Sequence, residues 1–74
     1  MDRTIIEAHL AMVDRHVADG ERLVARQREL LRGLEPGGHG AVIGRALLVQ
    51  FEELLAQHIA HRDRLRRELL QCRS

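Results

Sequence analysis

Ile6, Leu10, Val13, Val17, Gly20, Val24, Gln27, Leu31 and Leu34 recur at alternating steps of four and three, a spacing that lines them along one face of a helix. A break follows at Glu35-Pro36-Gly37-Gly38. Then Gly44, Leu48, Phe51, Leu55, His58, Arg62, Leu65, Leu69 and Cys72 repeat the same spacing. Two apolar stripes joined by so short a connection have each other as the nearest cover, and a short link forces the helices antiparallel. The pattern predicts an all-α fold, an antiparallel two-helix hairpin with coiled-coil packing, as a single domain over residues 1–74. Helix 1 is expected at about 3–33, the turn at 34–40 and helix 2 at about 41–71.

Local signals sharpen these bounds. Thr4 followed by Glu7 has the spacing of a capping box, with Asp2 as a competing cap. Gly33 is expected to close helix 1 in a left-handed conformation, and Pro36 cannot continue it. Helix 2 has only Gly40 or Ala41 to open it, without a strong cap. Gly20 costs about 1 kcal/mol relative to Ala in mid-helix, so something must compensate. Folding the chain about residue 37 or 38 puts positions whose numbers sum to about 75 at one height. That rule sets Gly20 beside Leu54 and Leu55, with Phe51 a turn away. Gly20 then reads as a notch for a bulky side chain or a close helix approach, with a ligand recess as the functional counterpart. Gln27, an amide in the central row, reads as a register-fixing residue.

The stripe is wider than one hairpin needs. His9, His16, Leu23 and Leu30 flank the row in helix 1, and Leu47, Leu54, His61 and Glu68 flank it in helix 2. Chains of 74 residues seldom bury enough surface alone. The third column is therefore expected to hide against a second copy, as a homodimer forming a four-helix bundle, with a helix of another protein as the alternative. An Asp at Leu23 or Leu54 is expected to abolish folding. The single cysteine, Cys72, excludes an internal disulfide. No apolar run is long enough to span a membrane, and Met1-Asp2-Arg3-Thr4 lacks a signal-peptide order, so a cytoplasmic location is expected.

Five histidines are many for this length. The height rule sets His16 level with His58, His61 a turn toward the open end, and His9 beyond it near Leu65. His9, His16, His58 and His61 are thus the candidate metal ligands, since imidazole suits zinc, copper, nickel or haem iron; the competing reading is hydrogen bonding to water or carboxylates. Burying several imidazoles in one layer would also weaken the bundle as pH falls through about 6.5. Arg62, Arg64, Arg66, Arg67 and Arg73 form one basic run, with Arg62, Arg64, Arg66 and Arg67 the candidate nucleic-acid contacts. Arg22, Arg26, Arg28 and Arg32 form another. Acidic residues are expected opposite both: Asp2, Glu7 and Asp14 against the first, Glu52 and Glu53 against Arg22 and Arg26. With a net charge of +1 and a single aromatic residue, charge zipping across the hairpin is favoured over a nucleic-acid surface. Nothing supplies a nucleophile with a base, and Gly37-Gly38-His39-Gly40 lacks the strand and Lys of a phosphate loop. No enzyme and no cofactor are expected.

The segments His16-Val17-Ala18-Asp19-Gly20-Glu21-Arg22, Ala25-Arg26-Gln27-Arg28-Glu29, Arg45-Ala46-Leu47-Leu48 and Phe51-Glu52-Glu53-Leu54, then His58 and Arg62-Asp63-Arg64-Leu65, resemble a group of short uncharacterised alphaproteobacterial proteins. The resemblance covers most of the chain and implies a small free-standing protein with no catalytic residue. In architecture alone the chain is similar to the plasmid repressor-of-primer protein, a dimer of helical hairpins that binds paired RNA loops. The function expected from these readings is a non-enzymatic, self-associating interaction module. An RNA-binding hairpin dimer and a His-based metal-binding bundle are the alternatives.

Overall fold

The computed structural model describes residues 2–72 and consists of two helices, α1 (Arg3–Arg32) and α2 (His39–Gln71), folded back on each other into a rod with principal extents of 56 × 14 × 12 Å. Asp2 takes the cap of α1: its Oδ1 accepts the Thr4 N–H at 3.2 Å, and its carbonyl accepts from Ile5 and Ile6. Asp2 thus displaces the expected Thr4 box, and Thr4 lies inside the helix. Glu7 pairs instead with Arg3, one turn back.

The reversal is made by Pro36 and Gly37. Gly38 N–H donates to the Glu35 carbonyl at 3.0 Å, and Gly37 has φ of 80°. Proline second and a positive-φ glycine third give a type II turn. Gly33, expected to be left-handed, has φ of −85° and stays right-handed. The last turn of α1 tightens through Gly33 and Leu34 N–H bonds to Leu30 and Leu31, which postpones the change of hand to Gly37. Gly38 is extended and its carbonyl accepts from Val42, so α2 opens at His39, before the expected Gly40 or Ala41, with no side-chain cap.

Both stripes turn inward. Ile6, Val13, Val17, Val24, Ala41, Gly44 and Leu65 are buried, and the rest of the two rows are half-buried except Leu34. Toward the open end, Ile6, Val13, Val17 and Leu65 form a core joined by Leu10, Leu55, Ile59, Leu69 and Cys72. Toward the turn the seam mixes large apolar side chains, the buried Val24 and the half-buried Leu31, Leu48 and Phe51, with the small Ala41 and Gly44 and the amide of Gln27. A Cβ on Gly44 would stand 2.7 Å from Leu31 Cδ2, and one on Gly20 would stand 3.0 Å from Leu55 Cδ1. Gly20 is therefore the notch that the height rule placed at Leu55. Gln27 Nε2 donates to the Gly44 carbonyl at 2.9 Å, an interhelical bond consistent with a register-fixing role.

The third column is left open. Leu23, Leu30, Leu47 and Leu54 are between 40% and 54% exposed. This corrects the expectation for Leu23→Asp and Leu54→Asp: neither side chain lies in the seam, so the charge would meet solvent in a single hairpin, and folding is not the property it removes. No helix among the described residues is long and apolar enough to cross a membrane.

Gly44→Leu tests the close approach. Leu is a better helix former than Gly by most of 1 kcal/mol, so any loss is steric. Urea denaturation should show a loss of about 1–3 kcal/mol, the usual cost of overpacking, and an unchanged or higher midpoint would refute the tight seam.

Candidate functional site

The two flanks of the seam differ in chemistry. On one side Arg28 reaches Glu52 at 2.8 Å and Arg66 reaches Asp14 at 3.9 Å, both bonds crossing from helix to helix. Their side chains are between 43% and 55% exposed, so each contributes at most about 1 kcal/mol. Their value is in alignment, because only one register meets both. Glu52 was expected against Arg22 and Arg26. It meets Arg28 because Arg28 lies in the column flanking the seam, whereas Arg22 points outward and pairs with Asp19 in its own helix.

Among the described residues the opposite side carries no such clasp. A cleft opens there, lined by His16, Asp19, Gly20, Leu23, Phe51, Leu54, Leu55 and His58. Its surface is mostly apolar, with exposed Leu23 and Leu54 and half-buried Phe51 and Leu55 in the lining, and Leu55 packs into the notch at Gly20. Leu30 and Leu47 continue the apolar side toward the turn. Eight of the eleven exposed large apolar residues, among them these four, fall between positions 23 and 54. The turn half of the hairpin, where Ala41, Gly44 and Gln27 interrupt the apolar seam, is thus also the half with more apolar exterior.

His16 and His58 meet at the end of this cleft, with ring centroids 5.1 Å apart and planes tilted by 50°. The height rule anticipated the pair. It did not anticipate the burial: His9, His16 and His61 are exposed and His58 is half-buried. The acid sensitivity expected from burying several imidazoles therefore loses its cause in a single hairpin. Nor do the four histidines gather, since no group of three or more His, Cys, Asp and Glu side chains converges on a metal position among the described residues. His9 is seven residues from His16, roughly 10 Å along the helix.

The candidate nucleic-acid contacts do not form a free basic surface. Arg62 is half-buried and bonds Asp63 at 3.2 Å, and Arg66 is shared between Asp14 and Asp63. Arg64 and Arg67 are exposed, and Arg73 lies outside the described residues. Two of the four guanidinium groups are thus occupied by carboxylates, the zipping that the sequence led us to expect at Asp14.

Comparison of the chain with protein-family models, curated proteins and solved structures finds no match.

The pairing of the histidines is directly measurable. Proton NMR should show cross-relaxation between the His16 and His58 imidazole protons, and none between the rings of His9 and His58. Its absence between His16 and His58 would mean a different register.

Proposed function

We propose that this chain is a non-enzymatic, cytoplasmic interaction module that works as a homodimer, two hairpins packed into a four-helix bundle. The observation that carries the reading is the one-sided apolar face: Leu23, Leu30, Leu47 and Leu54 project from the side that no ion pair closes. A single rod is costly in surface. It exposes 5610 Å², about a fifth more than the roughly 4,650 Å² of a compact protein of this mass. The exposed leucines lie along the turn half of a rod 56 Å long.

A second copy is the occupant that fits best. It offers the same row of leucines at the same spacing, and a two-fold axis lets one patch serve both partners. Leucines from the two copies would interdigitate, and the ion-paired sides would face water. Those outer Arg and Glu residues would then be the surface available to another protein. The concentration of exposed large apolar side chains in the turn half supports the same reading, because a core between hairpins would cover them.

Sedimentation equilibrium at tens of micromolar should give twice the chain mass of 8.5 kDa. Leu23→Asp with Leu54→Asp should give the monomer mass, since an unpaired charge in an apolar interface costs several kcal/mol, while circular dichroism still shows helix. A wild-type monomer of full helicity would overturn the proposal.

A further inference from the structure

His16 on α1 and His58 on α2 bring two imidazoles together from different helices, near the mid-length of each. Among the described residues each ring has the other as its contact and neither makes a hydrogen bond, so their nitrogens remain available as ligands. Two imidazoles bound to one tetrahedral ion, with each nitrogen about 2.0–2.1 Å from the metal, have ring centroids about 5.2 Å apart. The observed centroid spacing is 5.1 Å. The rings therefore already stand at the separation a shared ion imposes.

We propose that His16 and His58 form a two-imidazole chelate for a borderline divalent transition ion, Zn²⁺ or Ni²⁺, which ties α1 to α2. Neutral imidazole is the ligand these ions favour, whereas Mg²⁺ and Ca²⁺ prefer oxygen. The remaining coordination positions belong to water, because no third His, Cys, Asp or Glu of the described residues converges on the pair. Asp19 lies in the same cleft, but its carboxylate is engaged by Arg22. Leu23, Phe51 and Leu54 line the same cleft as the two imidazoles. His9, His39 and His61 take no part.

The two ligands are far apart in the chain, so the chelate exists only when the hairpin is closed. Metal binding and folding are then coupled, and the ion raises the melting temperature. A histidine that bound alone would bind the unfolded chain as well and give no such rise.

The test uses tag-free full-length protein, stripped with chelator and titrated calorimetrically with zinc chloride and with nickel chloride at neutral pH, with melting followed by circular dichroism. Binding should be accompanied by a higher melting temperature. His16→Ala and His58→Gln should each weaken binding at least as much as the roughly 10–100-fold that loss of a supporting outer-shell partner costs, and each should abolish the melting shift. The double variant His9→Ala, His61→Ala should bind as the wild type does. His16 is exposed, so His16→Ala keeps its fold and remains decisive whatever His58→Gln does to stability. Absence of binding at millimolar metal, undiminished binding by His16→Ala, or binding without a melting shift would each overturn the chelate. Sedimentation of the chelator-treated protein separates this result from the homodimer, which needs no metal.

Discussion

Everything in this hairpin depends on how closely α1 and α2 approach at Gly20 and Gly44. Leu55 fills the space that a side chain at residue 20 would need, and Leu31 does the same at residue 44. A side chain at either position would force the facing leucine to move, so the two contacts favour the observed axial setting of the helices. Gln27 adds a directional bond to the Gly44 carbonyl in the same region. Once that setting is made, Arg28 faces Glu52, Arg66 faces Asp14 and His16 faces His58. The exposed ion pairs are too weak to set the register alone; they agree with a register that packing imposes.

Magnitudes assign the roles of the two halves. Fully burying a Val or Leu side chain is worth about 1.5–3 kcal/mol, so the cluster of Ile6, Val13, Val17 and Leu65 outweighs the surface ion pairs and holds the open end. The turn end has Ala41, Gly44 and Gln27 in its seam and Leu30, Leu47 and Val49 outside it. A short helical chain that leaves the leucines of its flanking columns on the exterior of one side is arranged for a second layer. That arrangement makes self-association the economical explanation of the face, and it also brings the imidazole pair to the edge of the same face.

Much of this is legible in the sequence because a helix converts spacing into direction. The two rows, the Gly20 notch at Leu55, the place of Gln27 in the central row and the level of His16 and His58 all follow from a repeat of seven and a fold about residue 37 or 38. What spacing does not carry is the choice between equivalent local chemistries. Asp2 and Thr4 are both good caps, and the chain uses the earlier one. Gly33 and Gly37 can both take positive φ; a proline immediately before Gly37 makes that position the natural third residue of a type II turn, a signal present in the sequence and outweighed there by the expectation that helices end on glycine. Burial of the flanking column was not legible either. Whether His9, His16 and His61 are covered depends on what lies beyond the hairpin, and within one chain they face solvent.

The central claim is that the leucine face is closed by a second copy and that this closure contributes to folding. If so, unfolding separates two chains, and mass action makes the melting temperature depend on protein concentration. Melting in the presence of chelator, followed by circular dichroism from about 2 µM to about 2 mM, measures this directly. The expected result is a midpoint that rises steadily across the range. The same midpoint at both ends would contradict the account, because a hairpin that folds alone has no reason to be sensitive to its neighbours.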